Sequence, residues 1–175
     1  MRRATGTLIG ALAFLVLLAP AGAGAAPAPK NFGAHLTGAE EVPPRDTNAT
    51  GQATYRILPS GDVTWRLNVA NIENVFAAHI HCGDPGVNGP IVVALFEGTP
   101  GGGRTQGVLS TGTFDPDGLT CTFADGTVPL LEAMRAGRTY TNVHTSDGDA
   151  TPNEGPGDFP GGEIRGQIEA HGPSS

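Results

Sequence analysis

A strict alternation of apolar and polar side chains between positions 63 and 69 is the feature that most limits how this chain can fold. The apolar side chains belong to Val63, Trp65, Leu67 and Val69. Because successive side chains of a strand project to opposite faces, this period of two predicts an antiparallel strand with one face in a core and one in water. We expect Trp65 to be an anchor of that core.

Similar short segments recur along the chain, separated by turns. The sequence holds 27 glycines and 15 prolines, a content that is typical of many short strands joined by tight turns. Residues 91–96 form a continuous apolar run, which predicts a strand buried on both faces. The predicted strands are 32–36, 52–58, 63–69, 75–81, 91–96, 108–114, 138–144 and 163–168.

One short helix is predicted at about residues 128–136. Thr127 is placed to cap this helix and Gly137 to end it. Leu130 and Met134 lie four residues apart and would form a single apolar stripe. The fold class that follows is all-β: an antiparallel, Greek-key-like β-sandwich or barrel with one short helix.

The first residues have the order of segments that is typical of a secretory signal peptide. Arg2 and Arg3 precede an almost wholly apolar stretch, residues 8–18, and small residues follow. Cleavage after Ala23 or Ala25 fits, and Ala25 is favoured. An uncleaved membrane anchor is the alternative, but the apolar stretch is short for a membrane span. We therefore expect a secreted or periplasmic protein with no membrane span after cleavage.

The remaining length is that of one domain, and its charge limits its partners. The chain has 17 acidic and 10 basic residues, a formal net charge of −7, and Lys30 is its single lysine. Nucleic acids and anionic membrane surfaces need clustered cations, so we expect neither as a partner. The predicted segments are a signal peptide at 1–25, a tether at 26–30, a β-sandwich domain at 31–170 and a tail at 171–175.

Cys82 and Cys121 are the two cysteines of the chain. An even number of cysteines in an exported protein predicts a disulfide bond between them. The alternative is that Cys82 is a metal ligand beside His81. A continuous strand disfavours this alternative, because Cys82 would then face away from the neighbouring histidines.

Three histidines form a candidate metal site. His79 and His81 lie two residues apart on a predicted strand, so their side chains project from the same face. His144 shares a strand face with Tyr140 and Asn142. Since His81 and His144 both end strands, we expect them to meet at one rim of the sandwich, where three imidazoles suit copper or zinc. The alternative is that these histidines are ordinary polar residues that bond to loop backbone, and His35 and His171 are not expected to take part.

The long segment 145–162 contains four acidic residues. Its acidic residues do not match the spacing of an EF-hand calcium loop, which favours a solvated acidic loop. No G-x-S-x-G motif is present, and a disulfide would leave no thiol to act as a nucleophile. The acidic residues in question are Asp147, Asp149, Glu154 and Asp158.

Three stretches of the chain, taken in order, resemble the signature motifs of the CHRD domain, the module first described in chordin. They are residues 32–44 (FGAHLTGAEEVPP), residues 78–90 (AHIHCG, then GVNGP) and residues 140–145 with 162–167 (YTNVHT, then GEIRGQ). The resemblance extends from about residue 31 to 169. It implies an extracellular or periplasmic β-sandwich module without an established catalytic activity. Segment 145–162 departs from the family, whose link to G-E-I-R-G-Q is usually shorter.

A second resemblance concerns the histidines. His79-Ile80-His81 and the later segment 137–144 (GRTYTNVH) are similar to the copper-ligand strands of copper/zinc superoxide dismutases. By position, the resemblance implies that His79, His81 and His144 are copper ligands. Residues 82–108 contain no counterpart of the zinc loop of those enzymes, and the arginine that steers their substrate is not evident. The resemblance therefore implies a shared fold and a copper site more than it implies dismutation.

Three hypotheses for the function remain. The observations favour a binding module over an enzyme. The first is a secreted CHRD-like module with a three-histidine site for copper or zinc, which binds that metal ion or an extracellular protein that the sequence does not identify. The second is a copper-dependent redox enzyme of the superoxide dismutase type. The third is a structural or adhesion module without metal.

Overall fold

The computed structural model describes residues 28–149, 151 and 155–171, and within those ranges it has eleven strands and one α-helix. The first six strands are β1 (Asn31–Thr37), β2 (Thr50–Ile57), β3 (Val63–Glu73), β4 (Val75–Cys82), β5 (Ile91–Glu97) and β6 (Arg104–Phe114). The remaining elements are β7 (Thr120–Phe123), β8 (Gly126–Pro129), α1 (Leu130–Arg135), β9 (Thr139–Thr145), β10 (Ile164–Gln167) and β11 (Glu169–His171).

Nine of these strands form one antiparallel sheet, which confirms the predicted all-β class. Its order is β5-β4-β9-β10-β1-β2-β3-β6, and β11 pairs with β1 beside β10. The two edge strands, β5 and β6, lie close to each other, so the sheet curls into a nearly closed barrel. The strands β7 and β8 form a separate hairpin next to α1.

The alternation in β3 places its apolar face towards the barrel interior, as predicted, but Trp65 is not a buried anchor. Val63, Leu67 and Val69 are buried, whereas Trp65 is half-buried. Its indole lies over Gly112 of β6, where a Cβ atom would overlap the ring, and its Nε1 donates to the hydroxyl of Ser110 at 3.2 Å. Trp65 therefore covers the edge of the core and keeps its polar atom near the surface.

Two further expectations about local structure are wrong. Residues 91–96 are not buried on both faces: Ile91 is 54% exposed, because β5 is an edge strand with one face in solvent. The helix begins at Leu130, and Thr127 does not cap it, since Thr127 lies in β8 and its hydroxyl is 2.9 Å from that of Thr122. Gly137 does follow the helix, with a φ of 68° that favours glycine.

Buried apolar side chains from all parts of the sheet fill the barrel. Ile80, Val143 and Ile164 come from the three neighbouring strands β4, β9 and β10, and define the inner face of that region. The apolar side of the helix packs against the same core, with Leu130 and Met134 fully buried. Because side chains alternate along a strand, the residues between these ones project to the outer face of the barrel.

Cys82 and Cys121 form the predicted disulfide bond. It joins the end of β4 to β7 and rules out Cys82 as a thiolate ligand. None of the helices in the described ranges is long and apolar enough to cross a membrane. The predicted signal peptide, residues 1–25, lies outside the described residues, as do residues 172–175 of the predicted tail.

Removing the disulfide should lower the free energy of unfolding. The bond closes a loop of 39 residues, for which the chain-entropy relation gives roughly 4 kcal/mol as an upper value. The double variant Cys82→Ala, Cys121→Ala is expected to lose up to that amount in urea unfolding, and reductant should destabilise the wild type to a similar degree. Reductant should leave the double variant unchanged. An unfolding midpoint equal to that of the oxidised wild type would contradict a stabilising role.

Candidate metal centre

The central strands β4 and β9 bring the three histidines onto the outer face of the barrel. Their antiparallel register pairs Ala77 with His144, His79 with Asn142 and His81 with Tyr140. The expected meeting at a rim is therefore wrong in detail: in an antiparallel pair, the end of one strand lies opposite the start of the other. The register places His79 between the levels of His81 and His144 along the strands, and the three imidazole rings come together as a triangle.

The three imidazoles lie in mutual contact range. The ring centroids are 5.6 Å apart for His79 and His81, 5.0 Å for His79 and His144, and 5.7 Å for His81 and His144. One ligand nitrogen from each side chain lies within 4.8 Å of the other two. In the described part of the chain, no other group of three or more histidine, cysteine or acidic side chains has this arrangement.

Two of the histidines are oriented by backbone carbonyl groups. Nδ1 of His81 is 2.9 Å from the carbonyl oxygen of Gly89, and Nδ1 of His144 is 3.0 Å from that of Pro160. Since a carbonyl oxygen can only accept, each Nδ1 carries the proton and each Nε2 carries a free lone pair. This hydrogen bond to the ring nitrogen opposite the ligand atom is usual for metal-binding histidines.

Each histidine presents one nitrogen that is buried and has no hydrogen-bond partner. These atoms are Nδ1 of His79, Nε2 of His81 and Nε2 of His144. A buried polar atom without a partner costs stability, and buried polar atoms are nearly always paired. Three such nitrogens on neighbouring side chains form a site that a metal ion would satisfy.

Burial keeps the histidines in the neutral form that a metal ion requires. It lowers the pKa of all three, and that of His144 falls to about 4. The bonds to Gly89 and Pro160 oppose this effect for His81 and His144, but burial dominates. Near neutral pH the cluster is therefore uncharged and its lone pairs are free.

Three loops cover this part of the outer face and make it buried. The loop 83–90 lies over His81, the loop 157–162 lies over His144, and the segment 38–45 follows β1. The amide of Asn88 donates to the carbonyl of Val42 at 2.7 Å, which joins the first and third of these loops. The loops therefore cover His81 and His144, whereas His79 stays half-buried.

Four buried residues around the cluster were not predicted as site residues. Tyr140 stacks on His81 with 4.9 Å between ring centroids and 12° between planes, and Arg165 lies over the Tyr140 ring. Asn142 is beside His79 in the register and 3% exposed, and Glu41 is 4% exposed. The alternation of β9 does place Tyr140 and Asn142 on the face of His144, whereas nothing in the pattern signals the burial of Glu41 or Arg165.

The remaining candidates stay apart from the cluster. His35 and His171 are exposed on β1 and β11, and His171 packs against Gly33. Asp147 and Asp149 are exposed, and the backbone N–H of Asp149 donates to the carboxylate of Asp147, as in a simple turn. Asp158 is partly buried, and Glu154 lies outside the described residues.

Comparison with known protein families supports the assignment of this fold. The family model of the CHRD domain matches residues 32–152, a range that contains all three histidines and ends before Arg165. We found no match to the chain among the curated proteins, and none among the solved structures.

Glu41 should make the stability of the protein depend on pH. Burial raises its pKa from an ordinary 4.5 to about 7, although Arg165 and Arg45 act in the opposite direction. The folded state thus binds its proton more tightly than the unfolded state, so this carboxyl destabilises the fold as the pH rises from 4.5 through 7. Relative to wild type, Glu41→Gln should gain about 3 kcal/mol of unfolding free energy between pH 4 and pH 8.

The matched control for this prediction is Glu40→Gln, which changes the exposed neighbouring residue. In urea unfolding over the same pH range, the gain of Glu41→Gln should exceed that of Glu40→Gln, because only Glu41 is buried. A constant difference from wild type for Glu41→Gln would show that Glu41 ionises freely in the folded state.

Proposed function

The chain belongs to the CHRD domain family, and we propose that it acts outside the cytoplasm as a binding module that holds a copper or zinc ion through His79, His81 and His144. The observation that carries this proposal is the set of three buried, unpartnered imidazole nitrogens on adjacent side chains. The Cys82–Cys121 disulfide supports an oxidising compartment, and the predicted signal peptide supplies the route to it.

The donor set fits a transition metal. All three donors are imidazole nitrogens, which suit zinc, copper, nickel and iron, whereas calcium and magnesium take oxygen ligands. The residues that would hold the ion are His79 through Nδ1 and His81 and His144 through Nε2. A bound copper or zinc ion supplies Lewis-acid chemistry, and copper also supplies electron transfer.

Three protein ligands leave room for a further ligand. Structural zinc sites usually take four protein side chains, whereas three histidines leave one position for water or an external group. Because all three donor nitrogens are buried, such a site suits water or a small external group as the fourth ligand. The remaining position distinguishes the proposed site from a structural zinc site, in which protein side chains fill all four positions.

Metal titration tests this proposal. Purified protein should bind one equivalent of copper or zinc, measured by calorimetry after removal of adventitious metal. His144→Ala should weaken binding by more than about 100-fold, since changes to residues that only hydrogen-bond to a metal ligand typically cost about 10- to 100-fold. His35→Ala changes an exposed histidine and should leave affinity unchanged. Absence of binding by the wild type would refute the proposal and favour a structural or adhesion module.

The dismutase alternative has less support. Residues 82–108 contain no counterpart of the zinc loop of the superoxide dismutases, and the chain as a whole carries a net charge of −7, which does not attract an anion such as superoxide.

We therefore expect the copper-loaded protein to consume superoxide no faster than its buffer does. A rate that clearly exceeds this background and is lost in His144→Ala would support the redox enzyme instead. Free copper must be removed from both samples, because the ion alone reacts with superoxide.

A further inference from the structure

Arg165 is a buried cation whose hydrogen bonds go to a loop. It is 1% exposed, and its guanidinium donates to Oδ1 of Asn88 at 3.2 Å and to the carbonyl groups of Val87 at 3.0 Å and Asp84 at 3.3 Å. Its bonds thus go to neutral oxygens of the loop 83–90. Burying a charge costs free energy, and the hydrogen bonds to the loop offset part of that cost. Because hydrogen bonds from a guanidinium are strong, they also hold the loop in one conformation.

The same guanidinium also holds an aromatic ring. It lies over Tyr140, with 3.4 Å between its central carbon and the ring centroid. The loop packs closely on this ring, because a Cβ atom added to Gly83 would lie 2.8 Å from Cε1 of Tyr140. Arg165, Tyr140 and the loop therefore form one packed unit.

That unit makes both contacts that orient His81. The loop provides the carbonyl of Gly89, which accepts the Nδ1 proton, and the Tyr140 ring stacks on the imidazole. Tyr140 also fixes Gly89, whose N–H donates to the tyrosine hydroxyl at 3.0 Å. Without the loop carbonyl, His81 would lose the bond that sets its tautomer.

We propose that Arg165 is a positioning residue, which holds the loop 83–90 and Tyr140 so that Nε2 of His81 faces His79 and His144. The expected effect of Arg165 on metal affinity rests on the proposed function, whereas its expected effect on the orientation of His81 does not. His144 is oriented by a different loop, through Pro160, and so provides an internal reference.

The first test uses the metal-free protein. Nitrogen-15 NMR measures how fast the Nδ1 protons of His81 and His144 exchange with water. In Arg165→Lys, which keeps the charge but loses the planar fork, the exchange of His81 should accelerate about tenfold while that of His144 stays unchanged. Equal acceleration of both would indicate general loosening and overturn the inference, as would no change in either.

Two further variants keep the test informative. Arg56→Lys makes the same substitution at an exposed arginine of β2, away from the loop, and should leave both exchange rates unchanged. If Arg165→Lys fails to fold, Asn88→Ala, at an exposed residue, removes the side-chain acceptor of Arg165 on the loop and should accelerate His81 exchange alone. An Asn88→Ala protein with wild-type exchange would contradict the inference.

The second test measures metal affinity by the titration described above. Arg165→Lys should bind one equivalent of copper or zinc about 10- to 100-fold more weakly than wild type. If the wild type binds no metal, the proposed function fails while the exchange measurement still decides the role of Arg165. If the wild type binds metal and Arg165→Lys changes neither exchange nor affinity, the positioning role fails and the proposed function stands.

Discussion

The antiparallel register between β4 and β9 decides which side chains meet on the outer face of the barrel. It pairs His79 with Asn142 and His81 with Tyr140, and it brings His144 within reach of both histidines. A slip of β9 by one residue would turn its side chains at Tyr140, Asn142 and His144 towards the core, away from His79 and His81. The inner face secures the register, because Ile80 and Val143 are fully buried in the core on the same two strands.

Burial of polar groups on the outer face lowers the stability of the fold, and packing of the core does not require it. The outer face holds imidazole nitrogens without partners, a buried carboxyl at Glu41 and a buried guanidinium at Arg165, all covered by irregular loops. Each such group lowers the stability of the fold relative to an apolar replacement. Local destabilisation of this kind is concentrated at functional sites, which is why the cluster is better explained by binding than by folding.

The sequence predicts the strands better than it predicts their surroundings. Period-two patterns located the sheet and the faces of its strands, but the alternation of β3 overstated the burial of Trp65. The apolar run 91–96 overstated the burial of β5, because the position of a strand at the edge of a sheet cannot be read from that strand alone. The alternation of side chains along β9 already placed Asn142 on the same face as His144. Glu41 and Arg165 could not be found in this way, since their burial depends on loops that fold over the sheet and leave no periodic signal.

We propose that Nδ1 of His79 and Nε2 of His81 and His144 together hold one metal ion. Anomalous diffraction from crystals grown with copper or zinc, recorded on both sides of the metal absorption edge, would locate that ion. A single strong anomalous peak bonded to these three nitrogens is expected. A peak on other residues, or none at the histidine cluster at full metal loading, would refute the site.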